Sequence, residues 1–241
     1  MASRVEASPK RRAGLSRERV LRIAIQIADK NGIEALTMRN LADKLGVEAM
    51  TLYHYVANKD AILSHILDLV VGEFEPPPDE GGWSDAVRRS AISAHHVLLR
   101  HPWACSLMMS PARIGPARLR YMESLLGRLR GAGFSAEMTH HAYHALDSHI
   151  IGFTMWVVGY TTGIKELPDS GETLRRQISL KDYPYLVEHM GEHGKPSDGE
   201  SEFAFGLDLT LDGLQKSRIS RPASRARTDR PRATRRRRPS C

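Results

Sequence analysis

The sequence has only two cysteines in 241 residues, Cys105 in an apolar segment and Cys241 at the end. Two such positions make neither a disulfide framework nor a metal-binding motif. No apolar run approaches 20 residues, so a membrane-spanning helix is not expected. The arginine-bearing start also lacks the apolar core of a signal peptide. These absences predict a soluble, cytoplasmic protein.

Alternating strand patterns of useful length and internal repeats are missing as well. Instead, helical stretches alternate with turn residues, and the predicted fold class is all-α. After the first 82 residues, helices are expected over residues 84–100, 102–109, 116–131, 136–160 and 203–216. The segment 164–201 is rich in glycine and proline, which predicts a loop with one short helix near residues 183–190.

Negative charge is scarce at both ends of the chain. Ten arginines and one aspartate follow Ser217, an excess of positive charge larger than the +7 net charge of the whole chain. Almost no apolar residue accompanies them, so this tail is predicted to be disordered. It is either an arm that binds nucleic acid nonspecifically or a solvated extension without a role, and composition fits both interpretations.

Residues 37–59, TMRNLADKLGVEAMTLYHYVANK, predict two short helices joined by a tight turn. Thr37 can cap the first helix, because its hydroxyl can accept one of the unpaired backbone N–H groups there. Gly46 can end that helix in a left-handed conformation. The second helix is expected over residues 48–56, with Leu52 and Val56 facing inward.

The outer face of the second helix carries unusual residues for a solvated surface. Ala49, Met50, Thr51, Tyr53 and His54 stand where Glu, Lys and Gln are usual. Such side chains suit thymine methyls, base edges and phosphates. The pair of helices is therefore predicted to be a helix-turn-helix that reads DNA.

The flanking residues complete a domain plan. A preceding helix over residues 15–31, capped by Ser16, supplies the third helix of the DNA-binding unit. Asn58 can cap a long connecting helix that ends near Phe74, before the Pro- and Gly-rich break at residues 76–82. The plan is a disordered basic arm (1–14), a helix-turn-helix domain (15–62), a helical regulatory and dimerisation domain (63–216) and the Arg-rich tail (217–241).

The stretch GIEALTMRNLADKLGVEAMTLYHYVANKDAIL, residues 32–63, resembles the DNA-binding domain of the tetracycline-repressor (TetR) family. A weaker resemblance to the tetracycline-type regulatory domain continues through residues 101–103 (HPW), 115–116 (GP), 128–135 (RLRGAGFS) and 203–214 (FAFGLDLTLDGL). The resemblance implies a ligand-responsive transcriptional regulator, usually a repressor, with a helical ligand-binding and dimerisation domain. It implies no enzymatic activity and no cofactor.

The resemblance also implies which residues contact DNA. Arg39 would bind a guanine, Met50 would pack on a thymine methyl, and Ala49 replaces a base-reading glutamine of the tetracycline repressor, so the operator sequence must differ. The implied DNA-contacting residues are Thr37, Arg39, Ala49, Met50, Thr51, Tyr53, His54 and Lys59.

A single short helix contacts only a few base pairs, so a homodimer on a palindromic operator is expected, with half-sites about 34–36 Å apart. An apolar stripe on the last helix consists of Phe203, Leu207, Leu211 and Leu214. From the residues alone, such a stripe can be core within one chain. The resemblance instead implies that it pairs with a second copy in a four-helix bundle.

A small-molecule effector of unknown identity is the other expected partner. Apolar walls and polar groups for its site are Trp103, Met108, Met109, His144, His149, Phe153 and Trp156. Tetracycline itself is not expected. Methionine stands near the position of a histidine in the family's magnesium–tetracycline site, and no glutamate occurs between Met138 and Lys165.

Two other functions stay open. His140 and His144 share a helix face and could belong to a metal-sensing site, although no carboxylate or cysteine completes it. The same segment resembles a zinc-peptidase helix, but histidine stands where the glutamate base is needed, which argues against an enzyme. The Arg-rich tail could alternatively make the protein an architectural nucleic-acid binder.

Overall fold

The structure, a computed structural model, describes residues 15–166, 182–193 and 199–220. Within these ranges all regular structure is helical, as predicted. The helices, numbered in chain order, are α1 (Arg17–Asn31), α2 (Met38–Leu45), α3 (Ala49–Leu52), α4 (Lys59–Val71), α5 (Trp83–Arg100), α6 (Trp103–Met108), α7 (Pro116–Gly131), α8 (Ala136–Glu166), α9 (Pro184–His193) and α10 (Gly199–Ser220). The predicted basic arm, the tail beyond Ser220 and much of the predicted loop 164–201 lie outside the described residues.

Helices α1, α2 and α3 form the predicted three-helix unit, called the head below. The Ser16 hydroxyl accepts a hydrogen bond from the Arg19 N–H at 3.2 Å, so it caps α1 as expected. Val20 of α1, Leu41 of α2 and Leu52 of α3 are completely buried between the helices. Burying each such side chain contributes about 1.5–3 kcal/mol, which gives this small unit a core of its own.

Helix α4 connects the head to the remaining helices, α5–α10, called the body below. It packs against α1 on one side and against α5, α6 and α7 on the other. Asn58 caps it, since the side-chain oxygen accepts from the Ala61 N–H at 2.8 Å. The helix ends at Val71 rather than near Phe74, because the Glu73 and Phe74 N–H groups bond carbonyls three residues back and tighten the chain into a turn.

The body is built around α5, α8 and α10, which pack on one another, with α7 lying between α8 and α4. Its buried side chains are continuous with those of the head and form one hydrophobic cluster. No helix among residues 15–166, 182–193 and 199–220 is both long and apolar enough to cross a lipid bilayer.

A histidine lies at the centre of the body. His95 of α5 is 1% exposed, and its ring stacks on Phe203 of α10 with centroids 4.0 Å apart. The Thr154 hydroxyl donates to the Ile150 carbonyl, so its oxygen can accept from His95 Nδ1, 2.7 Å away. The hydrogen bond and the stacking accommodate an uncharged imidazole in this apolar interior.

The second helix of the helix-turn-helix is shorter than predicted. It was expected over residues 48–56, but α3 covers only Ala49–Leu52. The Tyr55 N–H bonds the Leu52 carbonyl, three residues back, at 2.9 Å. The chain has to turn here because Asn58 already caps α4. Tyr53 and His54 therefore lie in the turn that follows α3.

The apolar stripe of the last helix, predicted from the sequence to form the dimer surface, is buried within the single chain. This stripe faces α5 and α8 within the same chain, and its side chains are at most 9% exposed. Packing against His95 and the apolar side of α8 removes them from any surface that a second chain could reach. The four residues are Phe203, Leu207, Leu211 and Leu214.

The burial of His95 predicts a pH-dependent stability. Burial, with His96 and His149 nearby, lowers the pKa of His95 from 6.5 to about 4. The unfolded chain therefore binds a proton first as the pH falls, and the free energy of unfolding should drop by about 3 kcal/mol between pH 6.5 and pH 4. Urea unfolding across this range should show a shallower slope for His95→Gln than for the unmodified protein.

The exposed His141 on α8 provides the control for this measurement. His141→Gln should keep the slope of the unmodified protein. Parallel stability curves for His95→Gln and the unmodified protein would show that His95 does not carry the effect.

Candidate nucleic-acid interface and ligand cavity

The corner between α2 and α3 is fixed by local backbone bonding. The Thr37 hydroxyl accepts from the Asn40 N–H at 3.1 Å and caps α2. Gly46 ends the helix with φ 68° and ψ 36°, in the left-handed region that costs glycine little. The N–H groups of Gly46 and Val47 then bond carbonyls of the last turn, which is the bonding of a glycine-ended helix. Both predictions from the sequence are confirmed.

This corner leaves the predicted DNA-contacting side chains at the surface of the head. Met50, at the outer side of α3, is 72% exposed. Water contact on so much apolar surface is unfavourable for an isolated chain. Five of these side chains are exposed, Thr37, Arg39, Met50, Tyr53 and His54, and three are partly exposed, Ala49, Thr51 and Lys59.

Asp68 ties α4 to the beginning of α7. Its carboxylate accepts a hydrogen bond from the Ala117 N–H at 2.7 Å, so it supplies an acceptor for the first turn of α7. The chain approaches so closely that a Cβ on Gly115 would lie 2.8 Å from Asp68 Cγ. Only glycine at position 115 leaves room for this carboxylate.

Arg113 makes a second connection to α4, nearer its beginning. The guanidinium donates to the Asp60 carboxylate at 2.6 Å and to the Asp60 carbonyl and Ser64 hydroxyl at 3.3 Å each. The segment between α6 and α7, which contains a short 3₁₀ turn at Pro111–Arg113, is thus bonded to the first turn of α4, and the first turn of α7 is bonded to the last turn of α4.

The same segment forms one wall of a cavity of about 240 Å³. Three predicted effector residues line it: Met108, Met109 and His144. The other lining residues are Ser110, Pro111, Ile114, Arg118, Met122, Tyr143 and Asp147. Adaptable methionines with a few convergent polar groups are typical of small-molecule sites.

The polar side of this cavity is an arginine–carboxylate pair. Arg118 donates to the Met108 carbonyl at 2.5 Å and lies 3.4 Å from Asp147. Burial raises the pKa of Asp147 above its ordinary value, while the guanidinium beside it acts in the opposite direction. Burial also raises the pKa of Tyr143. The cavity therefore offers hydrogen-bond donors and acceptors with little uncompensated charge.

Trp103 does not line this cavity, although the sequence predicted it as an effector residue. It is buried, and its indole N–H donates to Asp29 of α1 at 2.7 Å. His101 Nδ1 lies 2.7 Å from the same carboxylate oxygen. Because Asp29 belongs to the head, Trp103 and His101 connect the head to the body.

Comparison with known proteins identifies the family. Residues 20–66 match the profile "Bacterial regulatory proteins, tetR family", and residues 75–218 match "Tetracyclin repressor-like, C-terminal domain". An HTH-type transcriptional regulator of Saccharopolyspora erythraea is 33% identical over 83% of this chain and 84% of its own length. The chain belongs to the TetR family.

Solved structures agree with this assignment. A possible TetR family regulator from Streptomyces coelicolor A3(2) has a TM-score of 0.72 and 29% identity, covering 84% of this chain and all of its own. The S. coelicolor TetR family protein ActR in complex with actinorhodin has a TM-score of 0.67 and 25% identity, covering 86% of this chain and 99% of its own. The protein is therefore a DNA-binding transcriptional regulator with an N-terminal helix-turn-helix, and not an enzyme.

The remaining predicted effector residues of this TetR-family regulator form a separate aromatic group. His149 Nε2 donates to the Phe203 carbonyl at 3.0 Å. Phe153 lies edge-on to Phe203 and contacts the exposed Trp156 at 5.6 Å between centroids. The structure thus places His149, Phe153 and Trp156 beside α10 and not in the cavity next to α6.

The histidine pair of the metal hypothesis is adjacent but incomplete. The rings of His140 and His144 lie edge-on with centroids 4.5 Å apart. No third His, Cys, Asp or Glu completes a metal-ligating group with them within the described ranges. A tetrahedral zinc site needs four ligands, and these two imidazoles supply only two of them.

Sequence reasoning missed the polar residues of the cavity and of the α4 connections: Asp60, Asp68, Arg113, Arg118, Tyr143 and Asp147. One signal was available. Asp147 is the single acidic residue between Glu137 and Glu166 in the long apolar stretch of α8. A lone carboxylate in such a helix indicates a buried partner.

Gly115→Ala should destabilise this TetR-family regulator. The added Cβ displaces the Asp68 carboxylate from the Ala117 N–H, and loss of such a charge-assisted bond costs about 1.5–3 kcal/mol. Urea unfolding measures the change. Gly127→Ala in the same region is the control, because its Cβ meets open space within α7 and should stabilise by up to about 1 kcal/mol. Equal effects of both substitutions would contradict the close contact at Gly115.

Proposed function

We propose that this regulator is a repressor that binds a palindromic operator as a homodimer and is released by a small organic effector. The observation that supports it most directly is the double connection of the α6–α7 segment to α4. The segment between α6 and α7 lines a ligand cavity, and this segment and the first turn of α7 that follows it are both bonded to α4.

The DNA contacts are proposed from the exposed side chains of the head. The side chain of Arg39 is exposed, and the N–H donors of its guanidinium match the two acceptors of guanine. Met50, 72% exposed on α3, would bury its side chain against a thymine methyl. Thr37 and Lys59, at the beginnings of α2 and α4, would hold phosphates on either side.

The second copy is proposed to bind on the outer face of α8 and α10. On α10, Phe205 is 68% exposed and Leu209 is 59% exposed, on the side opposite the buried stripe. With Phe153 of α8 they line an open groove of about 530 Å³. Trp156 and Met155 of α8 add exposed apolar surface. Such a concentration of apolar side chains on neighbouring helices is typical of an interface.

Effector release is proposed to proceed through α4. A ligand that enlarges the cavity between Met109 and Asp147 has to push on the segment that carries Arg113 and Gly115. Because that segment is bonded to Asp60 and the adjoining first turn of α7 is bonded to Asp68, α4 would shift with them and change the spacing of the two heads. The operator and the effector would prefer different arrangements of the two heads. Binding of either one would therefore lower the affinity of the protein for the other.

The effector itself should be apolar with a polar edge. Met108, Met109, Met122 and Ile114 offer an adaptable apolar wall, and Tyr143 with Asp147 offers hydrogen-bonding groups. The related ActR structure contains actinorhodin, which is consistent with an organic ligand in this family. Selection of bound duplexes from an unbiased pool, followed by release assays with small molecules, tests the function as a whole.

Arg39→Ala should weaken operator binding by about 1–3 kcal/mol and relax the preference at one base position in each half-site. Fluorescence anisotropy with the selected operator and its single-base variants, at one fixed salt concentration, measures both effects. Arg120→Ala, an exposed arginine on α7 of the body, is the matched control and should change neither. An even loss of affinity across all sequences would contradict base recognition by Arg39.

Leu209→Lys should dissociate the proposed dimer, because it places a charge in an apolar interface. Sedimentation equilibrium should give twice the 26.9 kDa chain mass for the unmodified protein and the single chain mass for the variant. Leu119→Lys is the control, since Leu119 is 55% exposed on α7, away from this face. A dimer that survives Leu209→Lys, or one that is lost with Leu119→Lys, would place the interface elsewhere.

A further inference from the structure

Two arginines of the body line a second cavity, of about 620 Å³, which is separate from the cavity beside α6. Arg128 belongs to the last turn of α7 and Arg218 to the last turn of α10. The loop between α4 and α5 closes the cavity with Pro76, Pro77 and Gly81. Three segments distant in sequence therefore meet around two guanidinium groups.

Both guanidinium groups are bonded to backbone carbonyls. Arg128 donates to the carbonyls of Asp79 at 2.8 Å, Glu80 at 3.5 Å and Gly81 at 2.5 Å. Arg218 donates to the carbonyl of Ala132 at 2.7 Å. The Nε atoms of both arginines are buried, and neither has a hydrogen-bond partner in the described part of the chain. The hydrogen-bonding capacity of this pair is thus only partly used.

Carbonyl oxygens do not neutralise a guanidinium charge, and other arginines of the body have carboxylates. Arg88 pairs with Asp208 at 2.7 Å, and Arg100 pairs with Glu73 at 2.7 Å. Across residues 15–166, 182–193 and 199–220, neither Arg128 nor Arg218 forms an ion pair with a carboxylate. Two positive charges that share a cavity without a carboxylate partner leave charged N–H donors available to an anion.

The remaining walls of the cavity combine apolar residues with two polar ones, Asp79 and Ser124. Trp83 is fixed there by its indole N–H, which donates to Gln215 at 3.0 Å, and by an edge-on contact with Phe134. Pro76, Pro77 and Ala132 add apolar surface. A volume of about 620 Å³ lies within the range of cavities that hold organic molecules and is larger than a bare oxyanion needs.

We propose that this cavity binds a small organic anion, whose carboxylate or phosphate group lies between Arg128 and Arg218 and whose apolar part contacts Trp83. Arginine forks match both kinds of oxyanion geometrically. A bound anion would join the α4–α5 loop to the ends of α7 and α10. The site is independent of the proposed effector release, and it would hold even if the cavity beside α6 bound nothing.

Isothermal titration calorimetry of the full-length protein at constant ionic strength tests this site with phenyl phosphate, benzoate and neutral benzamide. At least one of the two anions should bind saturably and benzamide should not. Arg218→Gln and Arg128→Gln should each weaken the anion by about tenfold or more, because each removes a charged hydrogen-bonding group. Arg120→Gln on the exposed face of α7 should leave its affinity unchanged.

Absence of anion binding, unchanged affinity in Arg218→Gln, or equal binding of benzamide would each overturn the proposal. Inorganic phosphate that binds as tightly as phenyl phosphate would overturn the assignment to an organic ligand. Should Arg128→Gln fail to fold by circular dichroism, Arg218→Gln still decides, since it gives up one carbonyl contact only.

Discussion

The structure depends on how α4 is held between the head and the body. Its apolar side chains are buried against α1 and against the body helices at once, so the two parts share one continuous core. Asp60 then bonds its polar side to the segment between α6 and α7, and Asp68 bonds it to the first turn of α7. A packed core transmits displacement instead of absorbing it. Under the proposed mechanism, whatever moves that segment would also change the direction in which the head points.

Two exposed apolar regions are the surfaces at which the subunit is proposed to bind DNA and a second copy of the chain. Met50 stands on the outer side of α3, and Phe205 with Leu209 stands on the outer side of α10. Isolated exposed apolar residues need no explanation, but these lie where a helix-turn-helix meets DNA and where two long helices lie side by side. In the assembled complex both regions would be removed from water, which contributes the hydrophobic part of binding.

The two cavities of the body differ in the groups that lie opposite their arginine side chains. Beside α6, Arg118 has Asp147 as a counter-ion, so a ligand there has to compete with an existing pair. Beside the α4–α5 loop, Arg128 and Arg218 have only backbone carbonyls. The first cavity therefore favours a ligand of low net charge, and the second favours an anion.

Local sequence was enough to predict the all-helical class, the caps Ser16, Thr37 and Asn58, and the end of α2 at Gly46, because these features depend on residues within one turn. It was also enough for the TetR resemblance. The length of α3 was not predictable, since the turn at Tyr53 is imposed by the start of α4. The side of α10 that becomes core was decided only by tertiary packing on His95, because an apolar stripe looks the same in sequence whether it meets its own chain or another. The cavities likewise depend on residues far apart in sequence, such as Arg118 with Asp147 and Arg128 with Arg218, whose meeting no local periodicity encodes.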